Sequence, residues 1–184
     1  MHLKNLFHII ENIIPDHFCN DIIKTGESKL FENAKLSGGD IKNRSSKVSW
    51  INDKKFQTPL SQFVQSANIK SNWNFSLKEF EELQYTIYNV GGHYDWHHDC
   101  HSEPYKNGMI RKLSFTLCLN DEYEGGDFRI CKPHPISEKT KVETFKLKKG
   151  EMIVFPSHTW HKVDKVTKGI RKSLVGWVVG NQWL

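Results

Sequence analysis

The segment "LQYTIYNVGGHYDWHHD", residues 83–99, marks a change in the pattern of the chain. Before it, apolar residues recur partly at helical spacing. From residue 83 onward they follow a period of two, in short runs that are rich in β-branched and aromatic side chains. Gly91-Gly92 interrupts the segment as a turn would. The segment therefore predicts a strand, a turn and the beginning of a β-rich half of the protein.

The period of two continues to the C-terminus in four further runs, which are residues 111–120, 126–130, 143–156 and 170–180. Two helices are predicted before residue 83. The first covers 15–34, where Pro15 and Asp16 are start signals, and the second covers 58–73, where Leu60, Phe63 and Val64 share one side. Helices followed by antiparallel strands predict a mainly β protein, a β-sandwich or jelly roll with helices packed on one face.

A length of 184 residues predicts a single domain with a real core. We expect helical support over about residues 1–80 and a jelly-roll core over about 81–184. The four cysteines form no C-x-x-C pair, which predicts reduced thiols rather than a zinc module or a disulfide framework. The N-terminus has neither a signal-peptide core nor the length of a membrane span, so a cytoplasmic protein without membrane partners is expected.

The formal net charge of +5 weakly favours acidic partners. The lysines of the C-terminal part lie along strand-like runs and are not interleaved with aromatic residues. A solvated face therefore fits these lysines better than a nucleic-acid groove.

Three histidines and two aspartates occur within residues 91–100 and form two His-x-Asp pairs, His93 with Asp95 and His97 with Asp99. On a strand, residues i and i+2 point to the same side, so either pair presents an imidazole and a carboxylate to one point. With a distant histidine, such a pair makes the 2-His-1-carboxylate face that binds non-haem Fe(II). Spacing gives the second pair a modest preference, and a polar surface loop is the alternative for both.

The segment "GEMIVFPSHTWHKVDKVTKGIRKSLVGW", residues 150–177, offers His158 or His161 as the third ligand. Alternation on its last strand puts four residues on one face, namely Arg171, Ser173, Val175 and Trp177. Inside a barrel, the guanidinium of Arg171 would be costly unless an anion met it, and a dicarboxylate cosubstrate would supply that anion. Arg171 on the outer face, paired or solvated, is the alternative.

Together these segments resemble the Fe(II)/2-oxoglutarate dioxygenases of the prolyl 4-hydroxylase type. The resemblance covers roughly residues 83–180, extends more faintly to residues 13–23 and 43–51, and implies a double-stranded β-helix, the cupin-like form of the jelly roll. Its pattern is matched in order by Tyr88, Gly91, Tyr94, His97, Asp99, Gly125-Gly126, Phe155-Pro156, His161 and Arg171.

The resemblance implies that His97, Asp99 and His161 hold Fe(II). It also implies that Arg171 binds the distal carboxylate of 2-oxoglutarate. Tyr88 matches a tyrosine that hydrogen-bonds the cosubstrate, and Ser173 could add a hydroxyl to the same carboxylate. Positions lining the substrate groove of peptide-acting members are matched by Tyr94, Arg111 and Trp177.

The implied activity is hydroxylation of a prolyl residue in a peptide or protein with Fe(II), 2-oxoglutarate and O₂, with ascorbate as a candidate addition. Collagen-type members commonly carry lysine at the position of Arg171, so the arginine makes this chain more similar to the oxygen-sensing and bacterial members. Cys118 occupies a position where many members have tyrosine. Trp50 and Trp96 are further aromatic candidates for an extended ligand, although Trp50 is expected in the core. The alternatives are the same chemistry on a free amino acid, small metabolite or nucleobase, and a non-catalytic jelly-roll binding module.

Overall fold

The computed structural model describes residues 5–34, 43–132 and 134–182. These residues form two helices, α1 (Asp16–Glu27) and α2 (Lys54–Lys70), and fifteen strands. The strands are β1 (His8–Ile10), β2 (Glu32–Asn33), β3 (Arg44–Ser45), β4 (Lys47–Ile51), β5 (Glu79–Phe80), β6 (Leu83–Tyr88), β7 (His93–His97), β8 (Met109–Cys118), β9 (Tyr123–Gly125), β10 (Phe128–Lys132), β11 (Lys141–Phe145), β12 (Met152–Pro156), β13 (Trp160–Val163), β14 (Val166–Gly169) and β15 (Arg171–Asn181).

The strands form two antiparallel sheets and a short pair. The major sheet has the order β1-β12-β8-β15-β6-β4-β2, and β5 pairs with β15. The minor sheet has the order β11-β10-β13-β7-β3, and β14 pairs with β9. A buried apolar cluster that includes Phe128, Ile130, Phe155 and Val163 joins the two sheets. The predicted mainly β jelly roll, a double-stranded β-helix with flanking helices, is confirmed.

Both predicted helices are observed, and both pack on the major sheet. The end of the first prediction, 15–34, is wrong, because α1 ends at Glu27 and β2 (Glu32–Asn33) pairs with β4. The fully buried residues of the two helices, such as Ile22 of α1 and Leu60 of α2, share a core cluster with Leu117 of β8. Helix α2 begins at Lys54, before the predicted start at residue 58, because the side chain of Asp53 caps it by accepting a hydrogen bond from the Lys55 N–H at 2.9 Å. The helices therefore cover the face of the sheet that lies opposite the minor sheet.

The N-terminal part also supplies strands that the sequence patterns did not predict. Strand β1 extends the major sheet beside β12, and β4 pairs with β6, where Val48 lies opposite Thr86. These strands have five residues or fewer, and their partners lie far along the chain, so local periodicity carries little signal for them. Residues 1–4 and 35–42 of the expected helical support lie outside the described residues.

All four cysteines are free thiols, as expected. Within the three described ranges, no helix is long and apolar enough to cross a membrane. The cytoplasmic location stays a prediction from the sequence.

Gly176 of β15 lies close to Phe115 of β8. A Cβ at this position would lie 2.3 Å from Cε1 of Phe115 and 2.9 Å from Cδ2 of Leu83. Because Phe115 is fully buried, we expect Gly176→Ala to lower the free energy of unfolding by about 1–3 kcal/mol, measured by urea denaturation. The double variant Gly176→Ala/Phe115→Leu should lose less free energy of unfolding than the sum of the losses in the two single variants. An unchanged unfolding midpoint in Gly176→Ala would contradict this packing.

Candidate active site

Two histidines and an aspartate converge between β7 and β13. His97 ends β7 opposite His161 of β13, and Asp99 follows two residues after His97. Nε2 of His97 lies 3.8 Å from Oδ1 of Asp99, and Nε2 of His161 lies 3.7 Å from Oδ2. The three potential ligand atoms all lie within 4.8 Å of one another, so one metal ion could contact all three.

Main-chain contacts hold these side chains in a ligating orientation. Nδ1 of His97 lies 2.7 Å from the Asp95 carbonyl oxygen, and Nδ1 of His161 lies 2.9 Å from the Thr159 carbonyl oxygen. A carbonyl oxygen can only accept, so each Nδ1 carries the proton and each Nε2 presents its lone pair to the shared point. The Asp99 N–H donates to the Ser157 carbonyl oxygen at 2.8 Å, which ties the third residue to the end of β12.

The charge states suit a metal as well. Burial lowers the pKa of His161, and burial together with the neighbouring His161 lowers the pKa of His97 well below its ordinary value. Burial tends to raise the pKa of Asp99, but the attraction of both histidines and a hydrogen bond from Ser114 outweigh it and bring that pKa to about 2. At neutral pH the site therefore offers two neutral imidazoles and one carboxylate.

A β-bulge decides between the two His-x-Asp pairs. His161 lies opposite His97, but Val163 lies opposite Tyr94, so β7 carries one extra residue between these points. The extra residue reverses the alternation, and Tyr94 and His97 both face the interior, where their rings stack at 3.4 Å. Asp95 lies 3.7 Å from Nζ of Lys162 on the other side.

The rival residues therefore lie away from the metal position. Nδ1 of His93 contacts the Gly91 carbonyl oxygen at 3.0 Å, and the His158 side chain is exposed.

The triad lines a cavity of about 220 Å³ between the sheets. The residues that the sequence analysis assigned to the metal, the cosubstrate or the substrate groove all lie in its wall, and these are Tyr88, Tyr94, His97, Asp99, Arg111, His161, Arg171, Ser173 and Trp177. Further wall residues include Phe128, Phe155 and Val163, which are apolar. The cavity thus combines apolar side chains with convergent polar and charged groups, as sites for small ligands commonly do.

Arg171 is a buried cation in this wall. Its side chain is 1% exposed, Nη1 donates to Oγ of Ser173 at 3.0 Å, and Cζ lies 5.4 Å from the ring centre of Tyr88. Its Nε has no hydrogen-bond partner, and no carboxylate of the described part of the chain pairs with the guanidinium. Burying a cation without an anion is costly, so the surroundings of Arg171 fit an anionic ligand.

Gly126 leaves the space that Arg171 occupies. Its φ is +65°, and a Cβ there would lie 2.8 Å from Cδ of Arg171. This contact gives a physical reason for the Gly125-Gly126 pair of the sequence pattern. Tyr123 lies beside the same guanidinium. Burial raises the pKa of its hydroxyl, and the Arg171 charge opposes that rise.

Aromatic and charged residues form the other side of the cavity. The guanidinium of Arg111 lies 4.0 Å from the ring centre of Trp177 and is held by Glu81, with Nε–Oε1 at 2.8 Å and Nη2–Oε2 at 2.6 Å. Trp50 lies 6.3 Å from Trp177, centre to centre. Because Trp50 is 38% exposed, the expectation that it lies in the core is wrong. It sits on β4, a strand that the sequence patterns did not predict.

The sequence analysis missed several polar wall residues, which include Arg44 of β3 and Gln84 of β6 as well as His101 and Thr116. Neither Arg44 nor Gln84 belongs to a motif with metal-ligand spacing, and their cavity position depends on the pairing of β3 with β7 and of β6 with β15. Trp96, a candidate from the sequence, does not line the cavity. Its ring lies 5.6 Å from Nζ of Lys162.

Comparison with known proteins identifies the family. Residues 83–179 match the sequence model of the 2OG-Fe(II) oxygenase superfamily. The chain belongs to this superfamily. The name of the superfamily specifies Fe(II) and 2-oxoglutarate, and the site fits both, with two neutral imidazoles and a carboxylate for the ion and a buried, unpaired guanidinium for an anion.

Curated relatives of this oxygenase are named PKHD-type hydroxylases. One from Idiomarina loihiensis is 26% identical over 175 residues, which are 92% of this chain and 75% of the relative. Another, from Synechococcus sp., is 44% identical over 89 residues, which are 47% of this chain and 36% of the relative. The chain therefore spans most of one relative and about a third of the other.

Solved structures share the fold. A prolyl-4-hydroxylase of Pseudomonas putida aligns with a TM-score of 0.73 at 18% identity, over 95% of this oxygenase and 93% of that chain. A prolyl hydroxylase from Trichoplax adhaerens, in complex with a hypoxia inducible factor oxygen degradation domain peptide fragment, aligns with a TM-score of 0.71 at 20% identity, over 95% and 84% of the two chains. At these identities the likeness concerns the fold.

Proposed function

We propose that this oxygenase hydroxylates prolyl residues of a peptide or protein, using Fe(II) held by His97, Asp99 and His161. Arg171 binds the distal carboxylate of 2-oxoglutarate. The observation that carries the proposal is that this triad and an unpaired buried arginine line one cavity. When bound, the ion and cosubstrate supply an oxidation in which O₂ converts 2-oxoglutarate to succinate and CO₂ and leaves one oxygen atom as a hydroxyl on a C–H bond of the substrate.

The protein residues supply binding and orientation. His97, Asp99 and His161 would hold the ion through three ligand atoms and leave further coordination positions to other ligands. The Arg171 fork can donate two parallel hydrogen bonds to a carboxylate, and Oγ of Ser173, already 3.0 Å from Nη1, lies where it can donate a third. The apolar wall around the triad keeps bulk water away from the reacting atoms.

An extended peptide fits the aromatic side of the cavity. Trp50 and Trp177 offer apolar ring surfaces of the kind that bind proline-rich segments in a polyproline conformation. Names of similar proteins support the same substrate class, because one structural neighbour contains a peptide fragment and others are prolyl hydroxylases.

The test is an oxygen-transfer assay with the purified protein, Fe(II), 2-oxoglutarate and O₂. Blocked peptides with a central proline, free amino acids and methylated oligonucleotides are offered in parallel. Succinate is quantified, and mass spectrometry identifies any substrate that gains one oxygen atom. A hydroxylated prolyl residue supports the proposal. An oxidised amino acid or nucleobase beside untouched peptides overturns the substrate class, and absence of succinate with every substrate overturns the enzyme assignment.

Gly126→Ala should weaken binding of 2-oxoglutarate. The new methyl group would displace Arg171, whose Cδ lies 2.8 Å from the position of that methyl, so we expect KM for 2-oxoglutarate to rise about tenfold. Gly91→Ala is the matched control, since Gly91 also has a positive φ, +83°, but no atom lies within 4 Å of its Cβ position. If both variants raise KM equally, the effect comes from backbone strain and the argument for Arg171 is wrong.

A further inference from the structure

Arg44 is a cation at the cavity with only neutral partners. Its Nε donates to Oγ of Ser46 at 2.9 Å, and its Nη2 donates to Oε1 of Gln84 at 2.7 Å. Its Cζ lies 4.5 Å from the ring centre of Tyr94. Neither oxygen carries a charge, and no carboxylate of the described ranges forms an ion pair with Arg44.

The other arginines of the cavity wall already have anions assigned to them. The described wall contains three arginines, Arg44, Arg111 and Arg171. Glu81 holds Arg111 through two hydrogen bonds, and the proposed function gives Arg171 the distal carboxylate of 2-oxoglutarate. Arg44 is therefore the arginine that remains without an anion when the site is loaded.

We propose that Arg44 selects substrates that carry a carboxylate, in a peptide an Asp or Glu side chain close to the residue that is hydroxylated. This inference rests on the proposed function, because it places a peptide in the same cavity. Ser46 and Gln84 fix one edge of the guanidinium, and Nη1 has no partner within the described residues. The fork is thus preoriented for a bidentate pair with a carboxylate.

The ring stack sets the distance between the acidic residue and the reacting residue. Arg44 lies over Tyr94, and Tyr94 stacks on His97 with ring centres 3.4 Å apart, so a single ring separates the guanidinium from a metal ligand. An extended peptide advances about 3.3 Å per residue, and its residues i and i+2 point to the same side. The acidic side chain therefore lies within about two residues of the target.

A carboxylate could also come from the α-carboxylate of a free amino acid. The experiment separates the two sources with three probes, which are a blocked peptide with central proline and Asp two residues away on either side, the same peptide with Asn, and free proline. Dissociation constants are measured anaerobically with Fe(II) and 2-oxoglutarate present, by the fluorescence of Trp50 and Trp177 at the cavity. Without O₂ the readout is binding alone.

The wild-type protein should bind the Asp peptide about tenfold more tightly than the Asn peptide, and the ratio should fall as salt is raised. Arg44→Gln removes the charge and should bring the ratio close to one. Gln84→Glu keeps the shape but supplies an internal carboxylate at the 2.7 Å contact, so it should abolish the preference as well. The matched control, Arg129→Gln, removes an arginine that is paired with Asp164 outside the cavity and should keep the tenfold ratio.

Two results overturn the inference. One is that the wild-type protein binds the Asp and Asn peptides equally tightly, or binds neither of them. The other is a tenfold ratio that persists in both Arg44→Gln and Gln84→Glu. Thermal melting checks that each variant folds. If Arg44→Gln does not fold, Gln84→Glu alone tests the inference.

The outcome that would overturn the proposed function differs from those that would overturn the role of Arg44. If O₂ is admitted and no peptide gains oxygen while the Asp preference stands, the proposed function is overturned and the role of Arg44 is supported. Binding of free proline that depends on Arg44, without binding of either peptide, overturns the peptide form of the inference.

Discussion

His97→Ala is expected to abolish turnover while the fold survives. Nε2 of His97 is one of three potential ligand atoms that lie within 4.8 Å of one another, and the two that remain would hold Fe(II) weakly. Loss of residues that merely orient a ligand costs about 10–100-fold in metal affinity, so loss of a ligand should reduce iron binding and succinate formation by more than about a hundredfold. Iron titration and the coupled assay measure the two effects.

The fold should tolerate this change because His97 lies in the cavity wall and supports no apolar cluster. We expect the free energy of unfolding to change by less than about 1 kcal/mol, as judged by denaturation and circular dichroism.

Two neighbouring histidines provide the controls. His93 belongs to the rival His-x-Asp pair, and His98 is exposed and contacts Trp160, with ring centres 4.9 Å apart. His93→Ala and His98→Ala should each retain iron binding. If His97→Ala turns over normally, or if His93→Ala is the inactive variant, the assignment of the metal pair is wrong.

Arg171→Met is expected to raise KM for 2-oxoglutarate by at least about thirtyfold. Removing one partner of a buried, hydrogen-bonded charge pair costs about 2–5 kcal/mol, and each 1.4 kcal/mol is a factor of about ten. Methionine fills a similar volume but donates no hydrogen bond. Steady-state kinetics with varied 2-oxoglutarate give the ratio directly.

The same variant should be at least as stable as the wild type when no cosubstrate is present. Arg171 is 1% exposed and its Nε has no partner, so the guanidinium is a net cost until an anion arrives. Added 2-oxoglutarate should raise the melting temperature of the wild type but not that of Arg171→Met. Arg129→Met, which removes an arginine paired with Asp164, should respond like the wild type. A large loss of stability in Arg171→Met alone would contradict a ligand-binding role and favour a structural one.

Much of the fold followed from local patterns. The strands that were predicted, such as Leu83–Tyr88 and Arg171–Asn181, have six or more residues and are rich in β-branched and aromatic side chains. Alternation on β15 also placed Arg171, Ser173 and Trp177 on one face, and all three line the cavity. Strands β1, β3 and β4 carried no comparable signal, because they have at most five residues and are stabilised by partners from distant parts of the chain.

The site was accessible from sequence only through residue types and the family resemblance. Spacing alone left both His-x-Asp pairs open, since His93, Asp95 and His97 share one side of an ideal strand. The bulge opposite His161 reverses that alternation, and a bulge is a property of two paired strands rather than of one sequence segment. The sequence did not predict Arg44 and Gln84 at the cavity for a related reason, because each comes to line the cavity only through strand pairing.

The sequence by itself determined the β-rich architecture, the residue types of a 2-His-1-carboxylate site and which residues share a face with Arg171, because each of these follows from periodicity or chemistry within one segment. Only the tertiary structure decided which imidazoles converge, that Arg171 is buried without an anion, and that Arg44 meets the cavity with neutral partners. These depend on register, bulges and burial, which arise when distant strands pair and are not encoded in any single segment.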